Sequence, residues 1–559
     1  MNRFCFGWCV LLLSMALTGC GGSSSQQGAT PLSFASSGAD YSRQVQEMYV
    51  AYYGRPADPG GQQYWANRVA EAGGNLSAII QEFGTSQEAL ERFGGSPPIQ
   101  AVRNLYFQMF GREPDASGLA YYTNGIEAGK FDLITVAADI FYGAAADSAD
   151  GSTLRDKVNA AQSVTDQLSN ANYGIYAGPV KARLASKWLE GASRPDHKPS
   201  TLIEQFQRPE LECRQFAPTS DLNIQPVKSI EGLWSNWKNK SSILGVEDTI
   251  RYAESVSNLA AVAFERTDTA LMRAIVNSLS NWATQGALKE TRMCVDETGN
   301  QDSLCTQWTV PDGSDVSAGQ TAGFVRAHTE SLRRSYSLIS KWSAQNMPAE
   351  HKSIREWFDF WESKIPRPRE VYFGLGMGYY QWMIQAQLDR GETESARVLT
   401  QQLLDGIYPL LLEDGSLKDR TTRGNRAIWY HFTSINEVMV SLYLASKQYI
   451  PIDKAIEDRL HKSVEIFVRT LDDPKYILPW ASKGFNNGGD GTQQEFFLGR
   501  PNDFSNWYDG FFAGSWIYLY TSWYPEREMS IKLRELVPIN SAASASVDSD
   551  YMPLGCILY

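Results

Sequence analysis

This chain of 559 residues has fewer basic than acidic residues. It contains 51 Lys and Arg and 63 Asp and Glu, which gives a formal net charge of -12. A nucleic-acid partner is not expected, because phosphate binding needs a basic field. Cysteine is scarce, with seven residues, and no His or second Cys lies at ligand spacing, so neither a metal site nor a cofactor is predicted. Alternating apolar and polar runs that would form strands are also lacking, and no loop has the phosphate-binding glycine pattern.

The chain does have the apolar and aromatic residues that packed cores need. It is 43% hydrophobic and 20% charged, and its length corresponds to about two to four domains of ~150 residues. The 16 Trp and 27 Tyr suit carbohydrate surfaces, although most rings of a helical protein pack in its core. A polyanionic ligand would need a local basic patch within this acidic protein.

The N-terminal 20 residues have the pattern of a targeting segment. Arg3 supplies a positive start, and the apolar run from Phe4 to Leu17 is too short to span a membrane. Leu17-Thr18-Gly19-Cys20 resembles a bacterial lipobox, which implies cleavage before Cys20 and attachment to a membrane through lipid on that residue. Because Gly rather than Asp follows Cys20, we expect an outer-membrane lipoprotein of the cell envelope, facing the periplasm or the cell surface. An ordinary secretory signal is the alternative.

Cysteine usage agrees with export. Two of the cysteines that remain after lipidation, Cys294 and Cys305, flank a polar, loop-like stretch, and a disulfide between them is predicted for an oxidising compartment. A pair formed by Cys213 and Cys556 stays an open alternative.

Residues 39–170 contain an internal repeat. The segment from Tyr49 to Trp65 matches the segment from Tyr106 to Tyr122 at a constant offset, which marks a duplicated supersecondary unit. Each copy predicts an aromatic-faced helix, a Gly-Arg-x-x-Asp-x-x-Gly loop and a second helix. Asp58 and Asp115 are predicted N-caps of the second helices; one acid per loop is too few for a strong calcium site.

This repeat resembles an all-helical domain of unknown function that is common in bacterial surface proteins and is similar to phycobilisome linker domains. The resemblance implies an interaction or scaffolding module, so a protein partner is expected to bind through residues 39–170.

The larger part of the chain has helical periodicity. Residues such as Ile456, Leu460, Val464 and Phe467 recur at the spacing of one helix face. A long series of antiparallel helix pairs without strands predicts an all-α fold with a helical α/α toroid and a cleft at one open end. The predicted division of the chain is as follows: signal peptide 1–20, tether 21–38, duplicated helical domain 39–170, linker 171–200, toroid 201–535 and tail 536–559.

One segment of the toroid, residues 413–431, concentrates cations and aromatic rings. It begins as a turn, because Asp414-Gly415 favours a positive φ. Its cationic and aromatic members are Arg423, Arg426, Trp429, Tyr430 and His431. Such a set suits an anionic sugar polymer, and a surface loop with structural arginines is the alternative.

Two motifs of this domain resemble alginate lyases of polysaccharide lyase family five, which are α/α-toroid enzymes. The first is Asp414-Gly-Ser-Leu, then Arg423-Gly-x-Arg426-Ala, then Tyr430-His431. The second is Gly378-Tyr-Tyr-Gln-Trp382, which falls where the family has Asn-His-x-x-Trp. The resemblance implies β-elimination at an anionic, uronate-containing polysaccharide.

This chemistry needs a neutralised carboxylate, a base at C5 and an acid at O4. In the family an Arg and an Asn engage the carboxylate while a His and a Tyr exchange protons. The resemblance places Arg426 at the Arg position, but it places Gly378, Tyr379 and Thr433 at the other three. A phenol whose pKa falls beside an arginine would serve as base, which makes Tyr379 a candidate.

The resulting hypothesis assigns carboxylate neutralisation to Arg426 and proton transfer to a tyrosine. The catalytic candidates are Arg426, Tyr379, Tyr380, Tyr430 and His431. The candidates for sugar binding are Arg423, Asn425, Trp429, Trp382 and Thr433. Structural packing is the alternative for Trp382, Tyr430 and His431, and His328 is a further candidate without an assigned role.

Two other functions stay open. The first is a non-catalytic glycan-binding protein in exopolysaccharide export or surface attachment. The second is glycoside hydrolysis, which needs two carboxylates across the cleft, and for which Asp490 and Asp509 are the candidates.

Overall fold

The computed structural model is all-α apart from one short hairpin. It describes the following residues: 41–93, 96–170, 173–192, 197–207, 221–230, 246–291, 294–295, 301–303, 316–364, 367–424, 427–473, 475–483 and 515–536. In the hairpin, β1 (Cys294–Val295) pairs antiparallel with β2 (Gln301–Ser303). Within these ranges every helix is too short or too polar to cross a membrane.

Ten α-helices lie in the described part of the chain up to residue 207. They are α1 (Ser42–Met48), α2 (Pro59–Glu71), α3 (Ser77–Thr85), α4 (Gln87–Phe93), α5 (Pro98–Phe110), α6 (Ala116–Glu127), α7 (Val136–Gly143), α8 (Ala149–Asn170), α9 (Pro179–Glu190) and α10 (Pro199–Gln207). A π-helical turn, Tyr49–Tyr53, extends α1, and a 3₁₀ turn, Tyr173–Ile175, precedes α9.

The two copies of the repeat share one set of local contacts. The first helix of each copy ends at a glycine in the left-handed region, Gly54 (φ 59°) or Gly111 (φ 69°), as is common for helix C-termini. Asp58 then accepts from the amide of Gly61 at 2.6 Å, and Asp115 accepts from Gly118 at 2.8 Å. The predicted N-caps are therefore confirmed.

The arginine of each Gly-Arg pair anchors the loop of its copy. Arg55 forms two hydrogen bonds with the carboxylate of Glu88, both 2.7 Å long, and Arg112 forms two with Asp150, 2.9 and 2.6 Å long. Such bidentate pairs fix orientation as well as contributing energy. This contact explains why both copies have an arginine at that position.

The N-terminal core extends beyond residue 170. Trp188 and Leu189 of α9 and Phe206 of α10 belong to the same buried cluster as Val45. The ring of Phe206 stacks on Tyr176 with centroids 4.7 Å apart. The segment 171–200, which the sequence analysis assigned to a linker, thus contributes core helices, and the boundary between the two cores lies after α10.

Eleven helices form the C-terminal part of the described chain. They are α11 (Val246–Arg266), α12 (Thr269–Thr284), α13 (Val316–Asn346), α14 (Pro348–Lys364), α15 (Leu375–Asp389), α16 (Thr393–Ile407), α17 (Ala427–Lys447), α18 (Lys454–Asp472), α19 (Leu478–Ala481), α20 (Ser515–Trp523) and α21 (Glu528–Leu536).

These helices pack in two rows. The first row is α11, α13, α15, α17 and α20, in which each helix contacts the next. The second row is α12, α14, α16, α18 and α21, and each of its members packs on the helix that precedes it in the first row. Helix α17 is buried on nearly all sides, whereas α18 buries one face, with Ile456, Leu460, Val464 and Phe467 in the core. The predicted periodicity of α18 is confirmed, because a second-row helix has one apolar face.

Ion pairs connect the two cores. Arg103 of α5 donates to both carboxylate oxygens of Glu394 in α16, each at 2.7 Å. Glu113 pairs with Arg397 of α16, and the ring of Phe107 lies edge-on to Tyr449 with centroids 6.1 Å apart. The duplicated domain therefore packs directly against the second row of helices.

Candidate functional site

The turn predicted at Asp414-Gly415 is present. The Asp414 carboxylate accepts from the amide of Ser416 at 2.9 Å and from its hydroxyl at 2.6 Å, which closes a local turn. Gly415 has a φ of 85°, and a Cβ there would lie 2.7 Å from the Lys462 backbone carbon. Glycine is therefore needed both for the backbone conformation and for the close approach to α18.

His431 is enclosed in a complete hydrogen-bond network. Its side chain has no exposed surface, and its Nε2 lies 2.8 Å from the carbonyl oxygen of Ser463, so Nε2 carries the proton and donates it. Nδ1 then accepts from the Thr421 hydroxyl at 2.7 Å, and that hydroxyl accepts from the amide of Leu417. Burial lowers the pKa of His431 to about 4, so the ring is neutral at pH 7.

Both ring nitrogens of His431 are occupied by protein groups, which corrects its candidacy as a catalytic residue. The imidazole joins the turn before α17 to α18 and fixes the position of the intervening segment. It positions the neighbouring residues and does not exchange protons with a ligand.

Tyr430, adjacent to His431, lies beside two arginines instead. The guanidinium carbon of Arg423 is 4.7 Å from the centroid of the Tyr430 ring, and that of Arg420 is 5.2 Å from it. Tyr430 is half-buried, as are both arginines. We call Arg420, Arg423 and Tyr430 the arginine–tyrosine cluster. Neighbouring residues on a helix point about 100° apart, which is why Tyr430 and His431 have such different surroundings.

Two residues just before α15, Phe373 and Gly374, lie against this cluster. The Arg420 guanidinium lies 5.7 Å from the Phe373 ring centroid and against Gly374, where a Cβ would be 3.0 Å from its Nη2. The amide of Gly374 donates to the Glu437 carboxylate at 2.6 Å. Burial lowers the pKa of Arg420, and the nearby Glu437 partly offsets this effect. Arg420 is thus the inner cation of the cluster.

Tyr379 and Tyr380 belong to a different group of side chains. Both are buried in the core, with their rings edge-on at 5.6 Å, and Arg367 lies 6.0 Å from the Tyr380 ring centroid. Burial raises the pKa of Tyr379, and the opposing effect of Arg367 is smaller. Arg367 thus acts in the expected direction, but burial outweighs it, and the expectation of a lowered pKa for Tyr379 is wrong.

The remaining described candidates fall on helices. Trp382 is 1% exposed and belongs to the core, so its ring does not offer a face for a sugar, which corrects that assignment. Thr433 lies one turn after Tyr430, and its hydroxyl donates to the Tyr430 carbonyl oxygen at 3.3 Å. Trp429 lies in the first turn of α17. His328 is fully buried in α13, where burial lowers its pKa to about 3, so it is a core residue.

Several predictions concern residues outside the described ranges. They are Cys20, Cys213, Cys305, Asn425, Arg426, Asp490, Asp509 and Cys556. Cys294 lies in β1, opposite Ser303. The described ranges contain no group of three His, Cys, Asp or Glu side chains placed to hold a metal ion.

A line of polar side chains between the first-row helices was not predicted from the sequence. Glu330 and Arg334 of α13 form a buried ion pair, and Arg334 donates to Gln381 of α15 at 3.1 Å. Gln381 donates to the Glu437 carbonyl oxygen at 2.8 Å and to Ser441 at 2.9 Å. Most positions of α13 from His328 to Ser335 are polar, so no break in an apolar pattern marked this buried ion pair in the sequence. The line connects α13, α15 and α17.

Known family models and curated protein sequences were both compared with this chain, and neither comparison produced a match.

Proposed function

We propose that the protein is a cell-envelope polysaccharide lyase that cleaves an anionic, uronate-containing polysaccharide by β-elimination. The observation that carries this proposal is the arginine–tyrosine cluster, which places two guanidinium groups beside one half-buried phenol in a protein of net charge -12. A carboxylate ligand matches the guanidinium groups, because paired cations and planar donors favour such anions.

The C-terminal helices support an α/α-toroid architecture for this enzyme. In such a toroid, the helices of an inner row contact one another, and each outer helix packs on the inner helix that precedes it. The two rows of this protein have that arrangement. Arg420 and Arg423 precede α17, a first-row helix, and Tyr430 lies in its first turn. The cluster would therefore lie at one end of the first-row helices, where a toroid has its cleft.

The reaction divides among these residues as follows. Arg423, together with Arg426, binds the carboxylate and stabilises the negative charge that develops when the C5 proton leaves. A base takes the C5 proton, the C5–H electrons form the C4=C5 double bond, the C4–O4 bond breaks with its electrons going to O4, and O4 takes up a proton. The phenol of Tyr430 lies beside Arg420 and Arg423, and we assign one of the two proton transfers to it.

A direct test is the ultraviolet absorbance of the unsaturated uronate product, measured during incubation with a panel of polyuronates. Tyr430→Phe and Arg423→Gln should each lower the rate by about 10²-fold or more, since general acid–base groups contribute roughly that much. Tyr379→Phe is the matched control, because that ring is buried apart from the cluster, and its rate should stay within about twofold. An unchanged rate in Tyr430→Phe would refute the proton transfer assigned to Tyr430, and unchanged rates in Tyr430→Phe and Tyr380→Phe together would refute tyrosine-dependent elimination.

Non-catalytic glycan binding is the second candidate. Two observations favour it: Tyr379, at the position of the family's histidine, is buried, and Thr433, at the position of its tyrosine, has an aliphatic hydroxyl bonded to the helix backbone. Polymer retention by the protein without unsaturated product would support binding alone. New reducing ends without unsaturated product would instead indicate hydrolysis.

A further inference from the structure

We infer that the duplicated N-terminal domain has two equivalent binding patches for an anionic polysaccharide, one in each copy of the repeat. The choice of polymer rests on the proposed function, but the patches lie in α2 and α6 and share no residue with the arginine–tyrosine cluster.

Tyr64 and Tyr121 occupy the same position in the two copies and are both exposed, with 55% and 54% of their surface accessible. Most other aromatic residues of this motif are buried, including Tyr49 and Tyr106. A single exposed ring is ordinary, but these two lie at the same position of both copies and each lies beside a cation, and ligand binding is the role these surroundings support.

Each exposed tyrosine is held in place by the ring that follows it. Tyr64 lies edge-on to Trp65 with centroids 4.9 Å apart, and Tyr121 lies edge-on to Tyr122 at 5.1 Å. Trp65 in turn contacts Phe83, a core residue, at 5.2 Å. A ring oriented in this way offers a flat, amphipathic face with little conformational entropy to lose on binding.

A cation accompanies each ring, and it comes from a different place in each copy. In the first copy Arg68, one turn further along α2, has its guanidinium carbon 5.9 Å from the Tyr64 centroid. In the second copy Lys130, in the loop after α6, has its Nζ 4.8 Å from the Tyr121 centroid. The position equivalent to Arg68 is Gly125, so the two cations are not copies of one residue. An exposed ring beside a cation suits a sugar ring that has a carboxylate.

Two similar patches on one molecule, each an exposed tyrosine beside a cation, fit a ligand that itself repeats. A long polymer that reaches both patches binds the second intramolecularly, which raises its apparent affinity by a factor on the order of 10²–10⁴. A short oligosaccharide occupies one patch at a time and has no such gain. This difference separates two-patch binding from a single site.

The experiment measures binding of the full chain to long alginate and to a short oligo-uronate, with Tyr64→Ala and Tyr121→Ala. Each substitution should weaken alginate binding by about tenfold or more. With the oligosaccharide, each substitution should remove one binding patch and leave the affinity of the other patch unchanged. Tyr142→Ala is the matched control, because Tyr142 is 48% exposed in the same domain but donates to the Glu47 carboxylate, and alginate binding should not change.

A gain-of-binding variant tests the contribution of the cation. Arg68 forms an exposed salt bridge with Glu82 at 2.6 Å, and such pairs are readily exchanged. Glu82→Gln should therefore strengthen alginate binding by about twofold or more, whereas Arg68→Gln and Lys130→Gln should weaken it. Dextran, a neutral polymer, should bind less tightly than alginate.

Unchanged alginate binding in both tyrosine variants, an equal loss with Tyr142→Ala, or equal affinity for dextran would each overturn the inference. Such a result with unsaturated product still formed would leave the proposed lyase function in place. Tyrosine-dependent retention without any product would support the patches and count against the lyase.

Discussion

The network around His431 predicts a large loss of stability when Thr421 becomes valine. The Thr421 hydroxyl both accepts from the Leu417 amide and donates to Nδ1 of His431, and all three residues are fully buried. Valine keeps the approximate shape of the side chain but leaves one donor and one acceptor without partners. Because each buried unsatisfied group costs about 1–3 kcal/mol, we expect Thr421→Val to lower the free energy of unfolding by about 2–6 kcal/mol.

Urea unfolding of the unchanged chain and of the variant, followed by far-ultraviolet circular dichroism, measures this loss. Thr470→Val is the control: Thr470 is equally buried, but its hydroxyl donates to the helical carbonyl oxygen of Ile466 at 2.6 Å, four residues earlier. Its removal orphans no other side chain, so a change of about 1 kcal/mol or less is expected. An equal, small effect of both substitutions would show that the network around His431 does not stabilise the fold.

Three further outcomes follow from the structure. Burial lowers the pKa of His431 to about 4 and that of His328 to about 3, so between pH 6.5 and 4 the unfolded chain binds protons that the folded chain does not. The free energy of unfolding should fall as the pH drops through this window, by roughly 3 kcal/mol for His431, and His431→Gln should reduce the slope seen in urea titrations at several pH values. Asp58→Ala and Asp115→Ala should each cost about 1 kcal/mol in thermal unfolding, because each removes an N-cap; no change in either variant would refute the capping role. Gly415→Ala should cost about 1–3 kcal/mol, since a Cβ would meet the backbone of α18 at a residue with φ of 85°, and a neutral result in the same assay would contradict that geometry.

The sequence by itself determined features that depend on neighbours along the chain. The helical class, the N-caps at Asp58 and Asp115 and the turn at Asp414-Gly415 were all predicted, and the structure has them. Hydrophobic periodicity, capping and turn formation involve residues within a few positions of one another. These residues therefore encode the local structure without reference to the rest of the fold.

The division of the chain into cores was less accessible from the sequence. The segment 171–200 contains Gly, Pro and polar residues typical of a linker, yet Trp188 and Leu189 join the N-terminal core. Their apolar character was visible, but α9 packs on residues more than 100 positions away along the chain, such as Gly54, whose carbonyl oxygen accepts from Ser186. Composition cannot specify such a partner.

The candidate site depended most on tertiary structure. Tyr430 and His431 are adjacent in the sequence, but their surroundings differ. Tyr430 lies beside two arginines, whereas His431 is buried and hydrogen-bonded to Thr421 before α17 and to Ser463 in α18. The pKa of Tyr379 rises because the core that surrounds it outweighs Arg367. The sequence determined that cations and aromatic rings are concentrated before α17. Only the packing of α15, α17 and α18 decided which of them are buried, because burial and charge environment are set by residues distant in the chain.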